Sequence, residues 1–160
     1  MDSIEKDIAN LYNKDANSAY ASLKRLLQVV EQSNLAYAYM ETFYEMMEHE
    51  NSYVRTRGII LLALHAKWDT KNYVDRYVDA YITHMEDEKA ITSRTCIQHA
   101  VHIARYKPQL CNILLEALEG GTRIYSESMA PLIYKDRKKA IKQVQEWMYI
   151  HEEQSDKTKR

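Results

Sequence analysis

Turn-forming residues are scarce in this chain of 160 residues, which has three glycines and two prolines. A β-sandwich or β-barrel of this length needs many more turns, and those turns rely on glycine and proline. The scarcity therefore argues against a mainly β fold and favours long helices that are joined by short polar turns.

The chain also lacks the marks of a disulfide-rich, exported or membrane-spanning protein. Its two cysteines, Cys96 and Cys111, are too few for a disulfide framework, so we expect buried free thiols. The longest apolar run, Ile59–Leu64, is far shorter than the ~20 residues that a membrane span requires. The N-terminal residues have no basic or apolar segment typical of a signal peptide. We therefore expect a soluble, cytoplasmic protein that does not bind membranes.

A two-helix pattern of apolar residues recurs along the chain. The first helix of the pattern has apolar residues spaced 4, 3 and 4 apart, namely Ala36, Met40, Phe43 and Met47. The same spacing returns 38 residues later, at Val74, Val78, Tyr81 and Met85. The second helix repeats at a displacement of 37, which aligns Ile60 with Ile97. Such a recurrence is the sign of a helical array.

Weaker copies of the pattern reach both ends of the chain. We predict an all-α fold of about four helix pairs in one domain, residues 1–153, with a plain antiparallel bundle as the alternative architecture. A short helix is expected over residues 122–134, around Pro131, and an amphipathic closing helix is expected from Asp136 onward. Residues 154–160 are charged and are expected to form a frayed tail.

The segment from Asn51 to Leu64 resembles a HEAT repeat. After a polar turn it has the residue types that the HEAT pattern expects, namely Val54, Arg55, Gly58, Leu62 and Ala63. The second copy departs from this pattern, because Ile91 and Thr92 replace Val-Arg. The resemblance implies a short right-handed α-solenoid of the armadillo-like class, whose second helices line a concave surface. In that family the surface commonly binds a protein partner and less often a nucleic acid.

The second helices therefore supply the first candidate surface. The residues expected to form a partner-binding face are Arg55, His65, Thr95, His99 and His102. The second candidate comes from the thirteen tyrosines, which contrast with a single phenylalanine. Tyr73, Tyr77 and Tyr81 follow one another at a spacing of four, which predicts an aromatic stripe on one helix. These rings either contact a partner or fill the gaps between stacked helices.

Two polar clusters have both a functional and a structural interpretation. Cys96, His99 and His102 lie three residues apart and include ligand types that zinc prefers, but no fourth ligand is evident and i, i+4 spacing suits a helix better. The start of the last helix is basic, and this cluster either grips phosphate or forms a solvated face: Lys135, Arg137, Lys138, Lys139 and Lys142. Acidic turns are interpreted as solvated loops: Glu45, Glu48, Glu50, Glu86, Asp87 and Glu88.

These observations predict a protein-interaction module, a scaffold or adaptor, and no cofactor or metal. The chain has no Gly-rich phosphate loop, nucleophile elbow or His-Glu-x-x-His motif, so nothing predicts an enzyme. One alternative is a nucleic-acid-binding or DNA-repair protein resembling the HEAT-like alkylpurine DNA glycosylases, for which similar residue types exist in Trp68, Asp69, Arg94 and Arg105. The net charge of −1 disfavours it. A helper subunit of a lyase or chaperone system is the other alternative.

Overall fold

Eight α-helices make up most of the computed structural model, which describes residues 2–159, and that part of the chain contains no strand. The prediction of an all-helical protein is confirmed. Four short 3₁₀ turns lie between helices: Tyr37–Tyr39, His65–Trp68, His84–Glu86 and Pro108–Leu110. The helices are α1 (Ser3–Asn10), α2 (Ala16–Gln32), α3 (Met40–Met47), α4 (Ser52–Leu64), α5 (Tyr73–Thr83), α6 (Ala90–Tyr106), α7 (Cys111–Glu119) and α8 (Ala130–Lys159).

The C-terminal part of the chain differs from the prediction. No separate helix covers residues 122–134, because residues 120–129 are irregular and Pro131 lies in the first turn of α8. Proline is tolerated in a first turn, where its missing N–H has no helical partner to lose. The helix that was expected from Asp136 therefore begins at Ala130. It continues through the segment expected to fray, as far as Lys159.

Carboxylate and amide side chains fix where several helices begin. The Asp2 and Asp15 carboxylates accept hydrogen bonds from the first backbone N–H groups of α1 and α2, and the Asn51 side chain does so for α4. The Asp69 carboxylate accepts from the backbone N–H groups of both Tyr73 and Val74 at the start of α5. Every one of these caps uses the partial positive charge of a helix N-terminus.

The helices pack as successive pairs, and the second helices of neighbouring pairs contact one another. Helix α4 packs on α3 and then on α6, while α6 packs on α8. Five buried positions of α4 and the turn after it correspond to five buried positions of α6: Arg55, Gly58, Ile59, Leu62 and Ala66 to Ser93, Cys96, Ile97, Ala100 and Ala104. These sets differ by 38, so Ile97 corresponds to Ile59 and not to the half-buried Ile60. The predicted displacement of 37 was wrong by one residue.

A buried carboxylate joins the second and third pairs. Asp87 is only 7% exposed and accepts two hydrogen bonds from the Arg55 guanidinium, each 2.9 Å long. It also accepts from the backbone N–H of Lys89 and from the ring of His84. Burial on its own raises the pKa of Asp87, but the hydrogen bonds from His84 and Arg55 outweigh burial and hold that pKa far below its usual range. The interpretation of this turn as a solvated loop was wrong.

Asp87→Asn should lower the free energy of unfolding by about 3 kcal/mol, because it leaves the buried Arg55 guanidinium without an opposite charge. Urea denaturation followed by circular dichroism measures this loss. Glu88→Gln is the matched control, since the Glu88 carboxylate lies 3.9 Å from Arg55 but is 68% exposed. The control should cost less than about 1 kcal/mol. Equal losses of stability in the two variants would contradict the conclusion that Asp87 is the main partner of Arg55.

Helix α3 approaches α4 most closely at Gly58. A Cβ atom at this position would lie 2.7 Å from the Met46 Cβ, the Met47 backbone N and the Phe43 carbonyl oxygen. The two helices can lie this close because residue 58 has no side chain. Two of the three atoms belong to the backbone of α3, so they cannot move aside independently.

Gly58→Ala should destabilise the protein by roughly 1–3 kcal/mol, because the added methyl group forces α3 and α4 apart. The helix propensity of alanine works in the other direction by about 1 kcal/mol. Gly120→Ala serves as the comparison, because a Cβ at Gly120 has only the Glu116 carbonyl oxygen nearby, at 3.2 Å. Thermal unfolding measures the stability of the two variants. A Gly58→Ala protein as stable as the wild type would contradict the prediction, because it would show that α3 and α4 can move apart at no cost.

Candidate interaction surface

The sides of α4 and α6 that point away from the first helices remain accessible. On α4 the accessible residues Tyr53, Ile60 and Leu64 lie opposite Gly58, the position that touches α3. Helix α6 exposes Ile91 and Gln98 at corresponding positions. Tyr53 and Ile91 are 67% and 63% exposed, which is unusual for large apolar side chains. We call this surface, formed by α2, α4, α6 and the first half of α8, the second-helix face.

Charge is separated between the two kinds of helix. Each first helix, α1, α3, α5 and α7, contains more acidic than basic residues, whereas α2, α4, α6 and α8 each contain more basic than acidic residues. Both arginines of α4 are buried, so the exposed cations lie on the other second helices and in the turn after α4; they include Lys24, Lys67, Arg105, Lys135, Lys138, Lys139 and Lys142. The sequence analysis missed this separation, although it could have been found by summing charges helix by helix.

Two residues of the predicted partner-binding face are inaccessible. Arg55 is held by Asp87, and His65 is completely buried at the end of α4, where its ring stacks on Phe43 at 5.3 Å between centroids. The prediction was wrong for these two residues, because Arg55 pairs with a buried carboxylate and His65 packs among apolar side chains. Thr95, His99 and His102 are half-buried on α6, beside the second-helix face.

The histidines and the cysteine of the zinc hypothesis do not meet. Cys96 is fully buried and its thiol contacts the Tyr81 carbonyl oxygen at 3.2 Å, while burial raises the pKa of that thiol. His99 donates a hydrogen bond to the Thr95 carbonyl oxygen, and burial lowers the pKa of both His99 and His102. Within residues 2–159, no three His, Cys, Asp or Glu side chains are arranged to hold a metal ion.

The three tyrosines of the predicted aromatic stripe do not share one environment. Tyr73 and Tyr77 are half-exposed, but Tyr81 is completely buried and donates a hydrogen bond to the Cys96 carbonyl oxygen. Tyr77 instead stacks on Tyr44 of α3, with 4.1 Å between ring centroids and 6° between planes. These tyrosines therefore join the first helices of two neighbouring pairs, which agrees with the gap-filling alternative.

Several residues of the basic and DNA-repair hypotheses have structural partners. The Arg137 guanidinium donates hydrogen bonds to the Leu118 carbonyl oxygen and to two other carbonyl oxygens, while the four lysines of its cluster are exposed. Trp68 donates to the Val30 carbonyl oxygen, and Arg94 forms a 2.6 Å ion pair with Asp136. The four residues compared with the glycosylases therefore do not form a free active-site cluster.

Comparison of the chain with protein-family models, with curated proteins and with solved structures gives no match. In the part of the chain that the structure describes, no helix is both long and apolar enough to cross a membrane. The second-helix face is therefore characterised by its own residues: exposed aromatic and aliphatic side chains with cations on either side of them.

His65 should make stability depend on pH. Its Nε2 atom is buried without a hydrogen-bond partner, and burial lowers its pKa from 6.5 to about 4. The folded state therefore favours the neutral ring, so stability is lost as the pH falls from about 6.5 towards 4, by roughly 3 kcal/mol in total. Urea unfolding at a series of pH values should show this loss in the wild type and a smaller loss in His65→Leu. Parallel pH profiles would contradict the prediction.

Proposed function

We propose that this protein is a protein-interaction module whose second-helix face binds a partner segment with acidic and apolar side chains. The single observation that carries the proposal is the separation of charge, which leaves the second helices basic and the first helices acidic. A binding protein gains orientation and a faster association rate from such an arrangement, because an acidic segment is attracted to one side only.

The proposed architecture is a short right-handed solenoid of the HEAT type, with four helix pairs. Buried positions recur at a displacement of 38 between α4 and α6, and the second helices contact one another in chain order. The chain has no ninth helix in the described residues, so α8 would be the second helix of the last pair. A solenoid places its second helices side by side and thereby offers an extended surface to a partner.

The chemistry of the face fits a peptide with two kinds of side chain. Tyr53 and Ile91 are exposed apolar groups on adjacent second helices, and burial against a partner would stabilise a complex by about 25 cal/mol for each Å² of apolar surface. Arg105 lies near the C-terminal end of α6. Lys67 lies in the 3₁₀ turn after α4, where it is exposed and donates to the Glu31 carbonyl oxygen. Arginine and exposed aromatic residues are the types that dominate binding energy at interfaces.

A nucleic acid is the second candidate, because it would also be attracted by the basic second helices. Phosphate contacts use charged and polar groups, so the exposed aliphatic side chain of Ile91 would then have no partner. A net charge of −1 also opposes approach to a polyanion. The proposal therefore assigns the face to a peptide, and nucleic-acid binding becomes one result of the test.

The test is selection of random peptides displayed on phage against the wild-type protein and against Lys67→Glu/Arg105→Glu. Peptides enriched by the wild type should contain Asp or Glu together with Leu, Tyr or Phe, and the double variant should bind them at least about tenfold more weakly. Lys6→Glu/Lys14→Glu is the matched control, since it makes the same charge change at exposed residues of α1 and the following turn. It should bind like the wild type.

Two results would contradict the proposal. Selected peptides without an acidic bias, or equal binding by all three proteins, would remove the role of the second-helix face. Fluorescence anisotropy with labelled duplex DNA and single-stranded RNA tests the other candidate: salt-sensitive binding that Lys67→Glu/Arg105→Glu abolishes would assign the face to nucleic acid.

A further inference from the structure

Helix α8 has one long side that is largely exposed. Its buried residues, Ile133, Ala140 and Val144, lie on the side that contacts α6 and α7. Another side presents residues at helical spacing, which we call the outer flank: Tyr134, Lys138, Ile141, Gln145, Tyr149 and Glu152. Tyr134 and Tyr149 are 65% and 62% exposed, so the outer flank has large rings at both ends in contact with water.

Charge is divided along α8. Its first half contains Lys138 and Lys142, and its second half contains Glu152, Glu153 and Asp156, which precede Lys157 and Lys159 in the last turn. A second copy of α8 that runs in the opposite direction would place its acidic residues beside the basic half of the first.

The sequence of the outer flank is complementary to itself when it is reversed. Lys138 and Glu152 lie equally far along the helix from Gln145. Ile141 and Tyr149 are also equidistant from Gln145, so an apolar pair would flank the centre on each side. A two-fold axis at Gln145 would therefore place opposite charges together at both ends. Such an interface closes on itself and produces a dimer and not a filament.

We propose that two copies of this chain form a dimer in which their α8 helices pack antiparallel through the outer flanks, with the two-fold axis at Gln145. This interface is centred on a different side of α8 from Lys139, a cation of the second-helix face, whereas Lys135 and Lys142 lie one turn from Lys138 and border the outer flank. The dimer also provides a partner for the end of α8. After His151, which donates to the Ala104 carbonyl oxygen, residues 152–158 are fully exposed.

A cleft beside the outer flank can receive the end of the partner helix. It has a volume of about 500 Å³ and lies between α8, the end of α7 and the irregular segment. Arg123, Tyr134 and Lys138 are among its lining residues, and the acidic half of the other α8 helix would reach this place. One acidic lining residue, Glu86, already accepts hydrogen bonds from the backbone N–H groups of Thr122 and Arg123. The cleft also contains the Glu119 carboxylate, so Lys138 and Arg123 are the cations that would meet the partner's carboxylates there.

Charge reversal tests the pairing of Lys138 with Glu152. We expect sedimentation equilibrium to show about twice the chain mass of 18.9 kDa for the wild type. Lys138→Glu and Glu152→Lys should each raise the dimer dissociation constant by roughly tenfold or more, and the double variant Lys138→Glu/Glu152→Lys should restore it. Lys139→Glu is the control, since it makes the same change at an exposed residue about 100° around α8 from Lys138 and should leave the dimer intact. Circular dichroism establishes that every variant is folded.

A cysteine at the proposed axis tests the geometry independently. Gln145→Cys should form a disulfide between two copies under mild oxidation, whereas the native Cys96 and Cys111 are buried and should stay reduced. A monomeric mass at every concentration would overturn the proposal. So would a dimer that survives Lys138→Glu unchanged or forms no disulfide through Gln145→Cys. The second-helix variant Lys67→Glu/Arg105→Glu should dimerise normally, so failure of one proposal leaves the other intact.

Discussion

The carbonyl groups at the C-terminal ends of the helices set the constraint on which this structure depends. Many proteins close such ends with a glycine in the left-handed conformation. Among residues 2–159, no glycine has a positive φ, and Asn72 alone has one. The carbonyls instead accept hydrogen bonds from side chains of other helices: Arg57 to Leu11, Trp68 to Val30, Lys107 to Asp69, Arg137 to Leu118 and His151 to Ala104. The hydrogen bonds that close the ends of the helices are therefore also contacts that join neighbouring pairs.

This use of side chains explains which charges are free to bind. Arg55 and Lys107 are buried and paired with carboxylates, and Arg57 is buried beside a carbonyl oxygen, where burial lowers its pKa. These cations are therefore already bound to groups at the ends of helices. The Lys67 ammonium also donates to a carbonyl oxygen, that of Glu31 at the end of α2, but the side chain stays exposed. Lys24, Lys67 and Arg105 are exposed cations with no carboxylate partner within ion-pair distance in the described chain. Each first helix contains more carboxylates than cations, so the first and second helices differ in the sign of their net charge.

The sequence predicted what depends on local periodicity and failed where distant residues decide. Apolar spacing was sufficient for the helices and for the recurrence, but the registration of Ile97 depends on the lengths of two turns that a pattern of spacing does not fix. Asp87 resembles any acidic turn residue until Arg55, distant in sequence, is placed beside it. Tyr81 and Tyr77 have the same spacing pattern, yet one is buried and the other stacks on Tyr44. Burial of polar groups follows from such tertiary partners, which a single sequence does not identify.

The two ends of the proposed array differ in a way that bears on assembly. At the first pair, polar side chains bind one another across α1 and α2: the Arg25 guanidinium pairs with Asp7 at 2.7 Å, and the Asn10 amide donates to the hydroxyls of Ser18 and Ser22. Such an end is suited to water, as a terminal repeat must be. Both ends nevertheless expose large rings, Tyr20 on α2 and Tyr134 and Tyr149 on α8. The ends differ in their polar contacts, because the first pair has an ion pair and hydrogen bonds between its own helices, whereas in the proposed dimer the charges on the outer flank of α8 would be paired by a second copy.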